Sequence, residues 1–208
     1  MNFFRFHRRV QPQTSTRVAL IVGLGNPGRA YRSNRHNVGF LLVDQLCAKM
    51  NVRLSRMQSK SLIGSGQLGE TKVILAKPQT FMNNSGQAVA ALVRYYKIGL
   101  DQLLVVHDDL DLPLGTLRIR PGGGPGGQKG LASAIEELGT QEFPRLRIGI
   151  GRPPGRMDAA AYVLQDFSPG EQQLLDLVLQ RAVEAAQVFL TDGLEQAMNR
   201  FNGIVKDE

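Results

Sequence analysis

A chain of 208 residues, 42% hydrophobic, with a single cysteine and a net charge of +7, has the size and apolar content of one domain with a sizeable core. One cysteine excludes a disulfide framework and a cysteine-ligated zinc site. Charged or polar residues interrupt every apolar run before the ~20 residues of a membrane-spanning helix, so a soluble protein of a reducing, cytoplasmic compartment is expected. The charge is uneven: seven of the 25 Lys+Arg precede the first acid, Asp44, leaving 18 bases against 18 acids, and acid-free stretches recur over 112–135 and 143–157. Such patches suit a polyphosphate partner.

Residues 1–16 read as a basic, disordered tail, without the long apolar segment of a secretory signal. Arg17-Val18-Ala19-Leu20-Ile21-Val22, β-branched and ending at Gly23, reads as a buried strand that delivers a loop. That loop, Gly23-Leu24-Gly25-Asn26-Pro27-Gly28, fits the glycine pattern of a dinucleotide-binding turn. Pro27 and Arg29-Ala30-Tyr31-Arg32-Ser33 intervene, however, before apolar periodicity starts at Val38. The acid expected ~20 residues on is Asp44, inside a helical run, so the nicotinamide reading is set aside. Val38 to Met50 shows helical spacing and takes in Cys47, a packing thiol.

Lys72–Ala76 is a second strand, stopped by Lys77-Pro78, with Ser85 as the cap of a helix over 86–96. Leu103–Val106 is a third, running into His107-Asp108-Asp109. Thr116–Arg120 alternates like a half-exposed strand, 131–138 is helical, 146–150 is a further strand, and the chain from Pro169 is helical with a break near Asp192-Gly193. Strands alternating with helices predict an α/β fold: over 17–208, a single domain with a mixed β-sheet flanked by helices on both faces. Its ligands bind beyond the carboxyl ends of the strands.

The chemistry centres on His36, in Tyr31-Arg32-Ser33-Asn34-Arg35-His36-Asn37 between a glycine turn and a helix. Histidine is the side chain best matched to proton transfer near neutral pH, and neighbouring arginines and carboxamides can hold an anionic or amide-bearing ligand. Phe81 and Met82 suit a cleft wall, and the Asn83 carboxamide can recognise a peptide amide or polarise an ester carbonyl. His107-Asp108-Asp109 invites a divalent ion, but the rest of a metal shell is missing. A hydrogen bond from His36 to Asp108 is the simpler use of that carboxylate, setting the imidazole's tautomer and basicity, and His107 is structural. Pro121 to Gly130 is a mobile glycine-rich loop that brings backbone N–H groups to a phosphate or ribose, without the Gly-Lys-Ser/Thr ending of a triphosphate loop.

Together, Gly23-Leu24-Gly25-Asn26-Pro27-Gly28, Arg35-His36-Asn37-Val38-Gly39, Phe81-Met82-Asn83-Asn84-Ser85-Gly86, His107-Asp108-Asp109-Leu110-Asp111-Leu112-Pro113 and Arg145-Leu146-Arg147-Ile148-Gly149-Ile150-Gly151 resemble bacterial-type peptidyl-tRNA hydrolase, in order and spacing, over Arg17 to Asn202. The resemblance implies a monomeric esterase, without metal or cofactor, that cleaves peptide from the 3′-terminal ribose of tRNA. It implies that His36 is the general base and that Asp108 orients it. Asn26 would contact the peptide, Asn83 would bind near the scissile carbonyl, and Tyr31, Phe81 and Met82 would line the cleft. Arg118, Arg120 and Arg147 would grip tRNA phosphates. Where the family usually has His-Asn, this chain has Gln128-Lys129, so a substrate contact carried over to Lys129 becomes a lysine on a phosphate. The same departure motivates an alternative: a tRNA- or RNA-binding relative with reduced turnover.

Overall fold

Val18–Gly23 forms β1, and its residues from Ala19 on are buried. In the computed structural model, which describes residues 17–205, β1 lies between two parallel neighbours, β4 (Thr71–Pro78) and β5 (Leu103–Asp109). A strand covered on both faces has no solvent side, and its unbroken apolar run follows from that. The basic stretch 1–16, expected as a disordered tail, lies outside the described residues.

The sheet has eight strands in the order β2-β3-β4-β1-β5-β7-β6-β8. β7 (Arg145–Gly149) extends the parallel core beside β5. Antiparallel strands finish both edges: β2 (Arg56–Gln58) and β3 (Ser61–Leu68) on one side, β6 (Thr116–Arg120) and β8 (Gly203–Ile204) on the other.

Alternation along β1 feeds two cores. Ala19 and Ile21 point to the face covered by α1 (Val38–Lys49), α4 (Ala159–Val163), α5 (Pro169–Thr191) and α6 (Leu194–Phe201). Leu20 and Val22 point to the face covered by α2 (Ser85–Tyr96) and α3 (Lys129–Leu138). The fold is therefore α/β, a mixed sheet with helices on both faces. No described helix is long and apolar enough to cross a membrane.

Two local differences from the sequence reading matter. Ser85 is the first residue of α2 rather than its cap; Asn84 takes the cap position and makes no side-chain capping bond. His107, Asp108 and Asp109 are the last residues of β5 rather than a loop beyond it, so the ladder to β7 holds them.

One glycine pair seats the business end of the sheet. A Cβ on Gly23 would lie 2.1 Å from the Gly39 carbonyl oxygen, and one on Gly39 would lie 2.6 Å from Leu24 backbone atoms. Backbone meets backbone where β1 ends and α1 begins. The turn Arg35–Asn37 is thereby brought over the carboxyl ends of β1 and β5.

Candidate active site

His36 and Asp108, 72 residues apart, meet at this end: Nδ1 of the imidazole lies 2.8 Å from Oδ2 of the carboxylate. The Asp108 side chain is 3% exposed and that of His36 12%. An ionised carboxylate only accepts, so Nδ1 carries the proton and Nε2 keeps its lone pair. Both residues line an open cleft of about 770 Å³ together with Asn26, Phe81, Met82, Asn83 and Lys129. A further wall comes from α4 through Ala159, Ala160 and Val163, and from Asp158, which caps that helix.

The other Asp108 oxygen is occupied too, since the Gln128 Nε2 donates to Oδ1 at 3.0 Å. Asn26, 7% exposed, is held from both ends. Its N–H donates to Asn37 Oδ1 at 2.8 Å and its carbonyl accepts from Asn37 Nδ2 at 2.9 Å. Its Oδ1 accepts the Met82 N–H at 2.8 Å, which leaves the Nδ2 amide as the group it can offer a ligand. Asn83 is exposed on the short turn Met82–Asn84 and makes no side-chain hydrogen bond to the described residues.

Arg35 differs from the expectation of a ligand-binding arginine. It is 5% exposed, forks onto Glu171 at 2.9 and 2.6 Å, and its guanidinium lies over the Tyr162 and Phe167 rings, 4.5 and 4.8 Å from their centroids. Those hydrogen bonds hold the Glu171 carboxyl down to about 2. The Arg35 N–H also donates to Gln165 at 2.9 Å, and Asn34 Nδ2 donates to Asp166 at 2.7 Å. The turn bearing His36 is thus stapled to the segment entering α5.

The arginines expected to grip phosphates are on one face of the sheet. Arg118 opposes Arg147, and Arg120 opposes Arg145, across the β6–β7 ladder. Like charges set opposite each other cost stability. Arg147 is partly neutralised by Asp109, with Nε 2.5 Å from Oδ2, and Asp109 lines the cleft. Arg145 is 2% exposed and donates to the carbonyls of Gly123 and Gln141, both at 2.6 Å. The glycine-rich loop, read from sequence as mobile, is therefore clamped at its base. Its later part, Gly126, Gly127, Gln128 and Lys129, lines the cleft.

Lys129 is exposed on the cleft rim. Phe81 is 59% exposed there. Tyr31, placed in the cleft by the resemblance, is half-buried on the turn Arg29–Tyr31 and outside the lining residues. His107 Nδ1 donates to the Asp108 carbonyl at 2.8 Å and burial pushes its imidazole below the usual range, which keeps it neutral and structural. Among the described residues no three His, Cys, Asp or Glu side chains gather to hold a metal.

Sequence reasoning missed Gln128 and Asn37 as parts of the site. The signal for Asn37 was its place next to His36. For Gln128 it was a polar residue opening a helix after a glycine run, which marks an N-cap.

The sequence profile of the Peptidyl-tRNA hydrolase family matches residues 20–208. A peptidyl-tRNA hydrolase of Moorella thermoacetica is 51% identical over 89% of this chain and 98% of its own length. The chloroplastic peptidyl-tRNA hydrolase of Arabidopsis thaliana is 50% identical over 88% of this chain, which spans 64% of that longer protein. The crystal structure of peptidyl-tRNA hydrolase from Acinetobacter baumannii superposes with a TM-score of 0.85, at 36% identity, over 91% of this chain and 97% of that one. This chain belongs to the peptidyl-tRNA hydrolase family.

Proposed function

We infer that this chain hydrolyses the ester between a peptide, or an N-blocked amino acid, and the 3′-terminal ribose of tRNA. The observation that carries the mechanism is the 2.8 Å contact between His36 and Asp108 at an open cleft. Nε2 of His36 takes a proton from water, and the hydroxide attacks the acyl carbon. The ribose 3′-oxygen leaves as the imidazolium returns the proton, releasing peptide and tRNA. Asp108 stabilises the imidazolium and holds the ring.

Asn83 and the Nδ2 amide of Asn26 supply donors for the carbonyl that becomes an oxyanion and for the peptide amide. Phe81 and Met82 give the apolar wall. Arg118, Arg147 and Arg120 form the phosphate track, which begins at the cleft through the Arg147–Asp109 contact. Lys129 on the rim takes a phosphate of the tRNA end. Opposed arginines are tolerable when an anionic partner covers them, which supports tRNA over a small neutral ester. The enzyme works as a single-domain monomer, without cofactor, in the reducing cytoplasm that the buried Cys47 thiol suits.

The test is multiple turnover on N-acetyl-aminoacyl-tRNA with chelator present. The wild-type protein is expected to turn over, and an inert protein that still binds tRNA would mark an RNA-binding relative instead.

A further inference from the structure

Asp108 has two carboxylate oxygens, and His36 uses one. At 2% exposure the second needs a donor of its own, because a buried carboxylate lone pair left empty is costly. That donor is Gln128, itself 8% exposed. Its Oε1 accepts the Leu131 N–H at 2.7 Å, capping α3, while its Nε2 lies 3.0 Å from Asp108 Oδ1 and 3.3 Å from Met82 Sδ. The helix N–H demands an oxygen, so the NH2 must face the carboxylate, and the amide has one allowed orientation.

We propose that Gln128 is a positioning residue of the reaction, whose amide pins Asp108 so that Oδ2 stays aligned with His36. The assignment rests on the hydrolase reading above and extends it to a residue outside the catalytic pair. Contacts run in a closed circuit around the cleft. Gln128 bonds Asp108, Asp108 bonds His36, and Asn37, next in the chain, bonds Asn26. Asn26 accepts from Met82, whose sulfur returns to Gln128. A Cβ at Gly130 would lie 2.4 Å from that sulfur and 3.1 Å from Gln128 Oε1, so the close seat of α3 is part of the device.

The donor is neutral at every working pH, and this decides the test. The charged groups around it are Asp109, bound to Arg147, and Asp158 and Lys129 on the cleft wall, with neutral His107 next along the strand. Gln128→Glu keeps an oxygen for the Leu131 N–H but replaces the donor with a second carboxylate beside Asp108. Gln128→Met keeps the volume and loses both contacts.

Hydrolysis of N-acetyl-aminoacyl-tRNA by the full chain is followed for wild type and both variants. We expect kcat to fall about 10- to 100-fold in both, as misaligned catalytic groups do, with KM within about threefold. The acid-limb midpoint of kcat/KM should rise by about one pH unit in Gln128→Glu alone, because added negative charge favours the imidazolium. A residue that merely capped α3 would lower the thermal midpoint of Gln128→Met and leave Gln128→Glu with wild-type kcat and acid limb. That result overturns the proposal, as does a loss confined to KM. Should Gln128→Met fail to fold, Gln128→Glu still reads both kcat and the pH midpoint. Wild-type protein without turnover would overturn the hydrolase reading and this proposal with it, whereas full turnover in both variants overturns the proposal alone.

Discussion

Replacing Arg35 with Met tests whether the turn carrying His36 is held from α5. The substitution preserves an apolar stem beside the Tyr162 and Phe167 rings but removes the guanidinium that lies over them and forks onto Glu171. Removing one partner of a buried pair costs about 3–5 kcal/mol, and losing the ring contacts adds about 1 kcal/mol. Two features offset this: the Glu171 side chain is 28% exposed and can be hydrated, and it keeps its Ser168 bonds at 2.8 Å. We expect a net loss of about 2–3 kcal/mol, which lowers the thermal midpoint by about 5–10 °C for a chain of this size.

The same pair has a pH signature. Glu171 is held at about 2, against 4.5 ordinarily. A depressed carboxylate contributes its full stability above its unfolded pKa and loses it as pH falls through the folded one. The stability gap between wild type and Arg35→Met should be constant above about pH 4.5 and close progressively toward pH 2. Thermal melts across that range, with kcat measured alongside, check both claims. A midpoint change below about 2 °C, or a gap independent of pH, would refute the reasoning.

The sheet face and the helix crossing each yield a further expectation. Arg118→Ala and Arg120→Ala should each flatten the log–log salt dependence of tRNA binding by about 0.7–0.9 per lost phosphate contact, read by filter binding at several salt concentrations. Arg145→Met should leave that slope unchanged, because its guanidinium holds loop carbonyls. Gly86→Ala would set a Cβ 2.0 Å from the Ser133 carbonyl oxygen. Prying α2 from α3 should cost about 1–3 kcal/mol, visible as a lower denaturation midpoint.

The centre of the parallel core was legible because β1, β4 and the first part of β5 are buried and appear as apolar runs. His36 and Asp108 were legible as a pair because Asp108 closes a strand and His36 follows the glycine loop that leaves another, and ligands gather at that end of such sheets. The hairpin of β2 and β3 was not foreseen. Gly64 and Gly66 weaken its strand propensity, yet a Cβ at either would lie 2.6 or 2.5 Å from Val52, so glycine is what lets the strand form there. Arg35 looked like a ligand for anions because its acid, Glu171, is 136 residues away. Gln128 looked like a departure from the family pattern, and its value became clear only once Asp108 was found beside it. Side-chain partners distant in sequence leave no periodic trace, whereas buried strands do.

The central claim is that His36 and Asp108 act as one base. The most direct measurement is single-substrate kcat for His36→Ala, Asp108→Asn and the double variant on N-acetyl-aminoacyl-tRNA. Each single change should cost about 10²–10⁴, and the double variant should be no slower than the worse single, as members of one unit behave. Losses that multiply, or near-wild-type turnover by His36→Ala, would contradict the account.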